Sequence, residues 1–138
     1  MALSPHISTA AASAACNGIV DLLDAAAGSI KIFDGTMPTE CSVADAGTVC
    51  STITLPYPAW GAASNGVAAF LSGPWTDSAA DATGTAQYFR VYTNGGTCTM
   101  QGTVGTASCD MNLNSTAIQI NASVSITAFG VTVPINPD

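Results

Sequence analysis

Residues 86–104 read AQYFRVYTNGGTCTMQGTV and contain the clearest strand pattern of the chain. In its first half, Phe89 and Val91 share one face of an extended chain. The residues that alternate with them share the opposite face: Tyr88, Arg90 and Tyr92. Alternation with a period of two is typical of a β-strand, and we predict one over residues 86–93.

A turn follows this strand. Asn94-Gly95-Gly96 separates it from Thr97–Val104, which we predict as the next strand. Asn and Gly adopt positive φ readily, and such short turns between two strand patterns indicate a hairpin. The sequence therefore predicts an antiparallel pair here.

Working outward from this hairpin, short strand patterns recur between turn residues, and no helix pattern lies between them. We predict further strands at Ile30–Phe33, Val49–Leu55, Val67–Leu71, Met111–Leu113, Ile118–Ile120 and Val124–Val133, with polar loops at 39–48 and 77–85. About eight short strands predict a mainly β chain with one antiparallel β-sandwich domain over 29–138. Eight strands fit a jelly roll better than a seven-strand immunoglobulin-like sandwich, although the pattern leaves the topology open.

The last strand changes parity along its length. Its first apolar residues are Val124, Ile126 and Ala128, whereas Phe129, Val131 and Val133 occupy the opposite parity. A shift of one position moves every side chain to the other face. We therefore expect a bulge around 128–130, or a crossing between two sheets.

Residues 1–28 form a helical segment that we expect to pack on the β domain. Ser4 and Pro5 suit a helix start, a start near Ser8 is the alternative, and Gly28 suits the end. Apolar and small residues recur at three- and four-residue steps in two series: Ile7, Ala11, Ala14, Gly18 and Leu22, then Ile19, Leu23 and Ala26.

Charge limits the partners. The 138 residues hold 2 Lys and Arg against 9 Asp and Glu, a net charge of −7. Only Lys31 and Arg90 could neutralise phosphates, so we expect no nucleic-acid partner and no binding to an anionic membrane. No apolar run reaches the roughly 18 to 20 residues of a membrane span. Residues 1–15 lack the basic and apolar regions of a signal peptide, so we expect folding in the cytoplasm.

The five cysteines are Cys16, Cys41, Cys50, Cys98 and Cys109. They form no CxxC pair and lie far from the single histidine, which does not fit a zinc site. A Cys41–Cys50 or Cys98–Cys109 disulfide is conceivable if each pair flanks a hairpin. In a reducing compartment we expect free thiols that pack as small apolar side chains.

Catalytic chemistry has few candidates in this sequence. The only histidine is His6, so a nucleophile and base pair would depend on a residue near the N-terminus. Asp77 and Asp81 lack the ligand spacing of a calcium loop, and we interpret them as loop caps. We expect no enzyme activity, no metal and no cofactor.

Three large aromatics lie in loops beside prolines: Tyr57, Trp60 and Trp75. One interpretation is that they close an end of the sandwich. The other is that they contact a partner, because Trp and Tyr dominate binding hot spots and proline lowers the cost of ordering a loop. A sugar-stacking site would use the same three residues.

A series of segments carries a resemblance over roughly residues 3–135. The segments are Ile30–Pro38, Pro58–Ala68, Asp77–Ala86, Phe89–Tyr92, Asn112–Thr116 and Val124–Thr127. In this series the chain resembles small structural proteins of tailed-bacteriophage head modules, in particular the jelly-roll cement (decoration) proteins of HK97-type capsids. Five cysteines and two tryptophans are not part of that family pattern.

The resemblance implies a virion protein made in the host cytoplasm that binds the outer capsid surface. It would bridge subunits of the major capsid protein and stabilise the shell, as a homodimer across two-fold positions. The alternative function is a β-sandwich carbohydrate-binding or adhesion module that uses Tyr57, Trp60 and Trp75.

Overall fold

The computed structural model describes residues 6–24, 27–71 and 75–135. These residues form one helix, α1 (Thr9–Asp24), and a series of strands. The strands are β1 (Ser29–Asp34), β2 (Thr48–Thr54), β3 (Val67–Ala69), β4 (Trp75–Asp77), β5 (Gly84–Thr85), β6 (Tyr88–Tyr92), β7 (Cys98–Gly105), β8 (Met111–Leu113), β9 (Ala117–Ile118) and β10 (Val124–Thr132).

The architecture is mainly β, as predicted, with an N-terminal helix and one eight-stranded sheet. The strand order is β2-β1-β6-β7-β8-β10-β3, and β4 pairs with β10 beside this path. Strands β5 and β9 form a separate pair. This arrangement is consistent with a β-sandwich.

One pairing departs from the antiparallel pattern that the sequence predicts. Strand β8 runs parallel to β7, with Val104 opposite Met111. The chain between them returns on itself within a few residues. The Asp110 carboxylate accepts hydrogen bonds from the Thr103 backbone N–H and hydroxyl, both at 2.8 Å. This small closed loop lets two strands run in the same direction without a long crossover.

The hairpin over 86–104 is confirmed. Strands β6 and β7 pair from Tyr88 opposite Thr103 to Tyr92 opposite Cys98. In the turn, the Thr93 N–H donates to the Thr97 carbonyl at 2.9 Å, and Gly96 has a φ of +85°. That left-handed conformation is the reason the turn needs a residue such as glycine.

The parity change in the last strand is also confirmed. The register of β10 against β8 shifts between Ile126 and Ala128, and the buried side chains change from Val124 and Ile126 to Phe129 and Val131. On the edge away from β8, β10 pairs first with β4 and then with β3. The bulge therefore lies where one strand changes its partner.

Both ends of the sheet path are covered. At β2, the Ser51 hydroxyl donates to the Asp77 carboxylate of β4 at 2.7 Å, and the Cys50 carbonyl accepts from the Asp81 N–H at 2.8 Å. At β3, the Ala69 carbonyl accepts from the Gly61 N–H at 2.9 Å. Neither edge strand presents a complete row of unpaired backbone groups.

Helix α1 begins at Thr9 because Ser8 caps it. The Ser8 hydroxyl accepts a hydrogen bond from the Ala11 N–H at 3.1 Å. This supports the alternative start near Ser8. The other start, at Ser4 and Pro5, lies outside the described residues.

The buried face of the helix differs from the first predicted series. The helix residues that enter the core are Ala12, Cys16, Val20 and Leu23, whereas Ile7, Ala11, Ala14, Gly18 and Leu22 are exposed. Of the second series, Leu23 is buried, Ile19 is half-buried, and Ala26 lies outside the described residues. Small residues occur on every side of this helix, so the sequence gives little contrast between its buried and its exposed face. The Cys16 thiol donates to the Val131 carbonyl at 3.3 Å, which fixes this face toward β10.

Candidate functional site

The three aromatics of the sequence analysis do not share one environment. Trp60 and Trp75 are 3% and 4% exposed, whereas Tyr57 is 69% exposed. The structure brings the two tryptophans together within the core. Tyr57 alone is available to a partner.

The tryptophans pack edge to face, with ring centroids 5.2 Å apart and planes at 86°. Trp60 also contacts Phe129, and Phe70 contacts Trp75. Trp75 lies in β4 rather than in a loop, and its indole N–H donates to the Leu71 carbonyl at 3.2 Å. This burial favours the interpretation that the two side chains close the sandwich. The surfaces of both tryptophans are used by the core, so of the three aromatics only Tyr57 presents its ring to solvent.

Tyr57 lies at a surface groove of about 600 Å³ between α1 and the loop that follows β2. The lining residues are Asn17, Val20, Asp21, Tyr57, Pro58, Trp60, Gly61 and Ala62. Asn17 fixes the width of the groove, because its side-chain oxygen accepts from the Ala63 N–H at 2.7 Å. The groove offers an aromatic ring, a carboxylate and backbone groups. It suits stacking and hydrogen bonding rather than acid–base chemistry.

A second groove, of about 610 Å³, lies on another side of the helix. Ile19 and Leu22 of α1 line it together with Met100 of β7 and Phe129 and Val131 of β10. Leu22 is 58% exposed. This groove is more apolar than the groove at Tyr57, and it suits packing against another surface.

The most connected polar cluster was missed by the sequence analysis. Arg90, on β6, is 1% exposed. Its guanidinium donates to the Asp45 carboxylate at 2.7 Å and to the Val43 and Glu40 carbonyls at 2.8 and 3.0 Å. Its Nε donates to the Gln101 side chain at 3.1 Å. A buried charge is tolerated when it is paired and hydrogen-bonded in this way.

Residues 35–47, which we call the strap, provide the Arg90 partners at positions 40, 43 and 45. The strap also contacts the two tyrosines that flank Arg90 on the same face of β6. The Tyr92 hydroxyl donates to Asp45 at 2.6 Å, and the Tyr88 hydroxyl donates to the Ala46 carbonyl. The predicted polar loop is therefore a cover over one face of the sheet.

Protonation in the strap contact is shifted at two groups. Burial raises the pKa of Asp45, but hydrogen bonds from Tyr92 and Arg90 and the charge of Arg90 together hold that pKa below its ordinary value. Burial, followed by the hydrogen bond to Asp45, raises the pKa of Tyr92 well above its ordinary value. The ionised carboxylate and the neutral phenol are thus the forms that hold the strap.

A disulfide joins Cys41 of the strap to Cys98 of β7, with the Cα atoms 5.4 Å apart. This corrects the expectation that all five cysteines are free, and the pair is neither of the two that the spacing suggested. The strap folds back over the sheet, so cysteines distant in sequence become neighbours. Cys16 and Cys50 are free and buried, as expected of small apolar side chains, and burial raises the pKa of the Cys50 thiol.

The loop carboxylates act as hydrogen-bond acceptors. Asp77 accepts from the Ser51 hydroxyl and from the Ala79 N–H, and Asp81 accepts from the Thr52 hydroxyl at 2.8 Å. The interpretation of both as loop caps is supported. Over 6–24, 27–71 and 75–135, no group of three or more His, Cys, Asp or Glu side chains could hold a metal ion.

No helix within the described part of the chain is long and apolar enough to cross a membrane. Comparison of the chain with protein-family models, with curated proteins and with solved structures gives no match.

Proposed function

We propose that this chain is a structural protein of a tailed-phage virion that binds the outer surface of the capsid. In this proposal it bridges major capsid protein subunits and stabilises the shell, after synthesis in the host cytoplasm. The resemblance supports this function, and parts of three of its segments form strands. Ile30–Phe33 lies in β1, Phe89–Tyr92 in β6 and Val124–Thr127 in β10.

The observation that carries the proposal is the apolar character of the surface. Charged residues are 8% of the chain, against about a quarter in ordinary domains. Large apolar side chains are more than a third exposed at Ile7, Leu22, Met37, Val43, Tyr57, Val67, Leu71 and Ile120. Such a surface suits a protein that works packed against neighbours.

The placement of the cations supports an outer position on the shell. Arg90 is buried against Asp45, and the Lys31 ammonium lies 4.9 Å from the ring centre of Tyr92. Both cations of the chain are engaged in these internal contacts, so the charge that remains on the surface is mainly that of carboxylates. An acidic surface is repelled by packaged DNA and disfavours nucleic acid as a partner.

A second copy of the chain is the other partner in this proposal. Two-fold symmetry is the commonest way to cover an apolar surface, and a homodimer offers two contacts to the shell. Sedimentation equilibrium at high micromolar concentration should show the dimer. A monomer both in solution and on the shell would contradict this part of the proposal.

Rebinding to stripped shells tests the capsid function. We expect attachment to weaken only modestly across a salt series, because few charges are available for the interface. Tyr57→Ala should cost on the order of 2 kcal/mol of binding if this exposed ring is an anchor. Ile120→Ala removes an exposed apolar side chain from a different turn and is the matched control. Failure to bind shells would reject the capsid function. Binding that collapses with salt and is unaffected by Tyr57→Ala would reject the apolar contact.

The groove at Tyr57 favours one alternative function, carbohydrate binding. The exposed ring of Tyr57 could stack on a sugar, and the Asp21 carboxylate and the Asn17 amide in the same groove could hydrogen-bond its hydroxyls. Binding to a glycan array that Tyr57→Ala abolishes, without any binding to shells, would support this alternative.

A further inference from the structure

The strap is attached to the sheet in two chemically different ways within a few residues of each other. The Cys41–Cys98 disulfide is one attachment. The other is the hydrogen-bonded contact with Arg90, which holds the carbonyls of Glu40 and Val43 on either side of Cys41 in sequence. The non-covalent contact therefore restrains the same segment that the disulfide ties down.

Cys98, the partner of Cys41, lies near the same Arg90 contacts. Cys98 lies on β7, three positions before Gln101, and the Gln101 side chain accepts from Arg90 while donating to the Pro38 carbonyl of the strap at 2.6 Å. Side chains of β6 and β7 thus hydrogen-bond to the strap on both sides of Cys41 in sequence. The two Cα atoms lie 5.4 Å apart, within the range that disulfides require.

Access differs among the cysteines. Cys41 and Cys98 are both half-buried, so a small oxidant or reductant can reach them, whereas Cys16 and Cys50 are fully buried. A thiol pair that is held together in the folded chain and is partly exposed to solvent is suited to react without unfolding.

We propose that Cys41 and Cys98 are a redox pair that closes after folding, with the Arg90 contacts as the template, and that their oxidation state controls how far the strap can open. This inference does not depend on the capsid function. When Cys41 and Cys98 are reduced, the strap is kept closed only by its contacts with Arg90 and the two tyrosines, which allow it to open transiently. With the disulfide formed, Cys41 cannot leave β7.

Glutathione disulfide serves as the oxidant. One cysteine thiolate attacks a glutathione sulfur, which forms a mixed disulfide and releases one glutathione thiolate. The second cysteine thiolate attacks the protein sulfur of that mixed disulfide and releases the other glutathione thiolate. The protein loses two electrons and two protons, and glutathione disulfide gains them.

The chain carries its own reporter of strap opening. Glu40 is the only glutamate in the sequence, and it lies in the strap beside Cys41. A glutamate-specific protease, under conditions that spare aspartate, therefore cuts this chain at one peptide bond. We expect cleavage of the folded, full chain to be at least tenfold faster after reduction than after oxidation. The cleavage products are measured by mass spectrometry under denaturing conditions.

Two variants separate the disulfide from other effects of the reductant. Cys98→Ser should be cut at the fast rate in both redox states, because it cannot form the bond. Cys109→Ser removes a cysteine outside the strap and should keep the difference between states. Equal cleavage rates for oxidised and reduced wild type, or a redox effect that persists in Cys98→Ser, would overturn the strap lock.

The template is tested in glutathione redox buffers, with the disulfide quantified by alkylation and peptide mapping. Arg90→Met should shift the midpoint at least tenfold toward more oxidising buffer. Because that variant could unfold, Asp45→Asn and Gln101→Ala provide milder losses of the same contacts, and circular dichroism verifies their folding. An unchanged midpoint in folded variants would show that the pair forms without the template.

Discussion

Strand β6 has two faces, and both are buried by different means. On one face, Phe89 and Val91 pack into the apolar core. On the other face, Tyr88, Arg90 and Tyr92 lie under the strap, each hydrogen-bonded to it. Apolar burial is not directional and tolerates small changes of shape, whereas a buried polar face needs a partner for each donor. We therefore expect the loss of a buried polar group to cost more stability than a modest change of shape on the apolar face.

Among the changes that test this difference between the two faces, the loss of Arg90 should lower the free energy of unfolding the most. Arg90→Ala leaves a cavity under the strap and removes the donors to the Glu40 and Val43 carbonyls, which should lower the free energy of unfolding by about 2–5 kcal/mol. On the core face, Phe89→Leu should cost less than about 1.5 kcal/mol, because it changes apolar volume only modestly. Urea denaturation measures both. A larger loss for Phe89→Leu than for Arg90→Ala would reverse the expected ranking.

Removing the disulfide should have the next largest effect. The bond spans 57 positions in sequence, and closing a loop of that length stabilises a protein by roughly 2–4 kcal/mol. Reduction should therefore lower the melting temperature of wild type by several degrees. A Cys41→Ser, Cys98→Ser double variant should be insensitive to reductant. If wild type melts at the same temperature with and without reductant, the pairing is wrong.

Acid should produce the smallest effect, confined to the strap face. The pKa of Asp45 is lower in the folded chain than its ordinary value of 3.8. Its contribution to stability is thus present above about that pH and is lost as pH falls through the folded pKa. The difference in unfolding free energy between wild type and Asp45→Asn should shrink from pH 5 toward pH 2. A constant difference over this range would contradict the role of the ionised carboxylate.

The features that the sequence predicted are those with local causes. The hairpin follows from alternation around Phe89 and from an Asn-Gly-Gly turn, and the bulge of β10 follows from the parity of its own side chains. The strap has no periodicity of its own. It is held by side chains of β6 that lie more than forty positions away. Two large aromatic side chains, Tyr88 and Tyr92, on the face of β6 opposite the apolar residues were the available indication of a cover.

The aromatic site shows a second limit of sequence reasoning. The sequence pattern of a tryptophan beside a proline is the same whether the ring fills the end of a sandwich or is exposed to bind a partner. The contact of Trp60 with Trp75 and Phe129 depends on packing between β4, β10 and a distant loop. Only burial separates the two interpretations, and it leaves Tyr57 as the candidate contact residue.

The covered sheet edges restrict the way in which copies of this chain can assemble. Ser51 and Asp77 join one edge to β4, and the segment around Gly61 occupies the other. Within the described sheet, a neighbouring molecule therefore finds neither edge strand open along its whole length, which favours contact through side chains. Crowded copies of this chain are thus less prone to the continuous strand addition that builds fibrils.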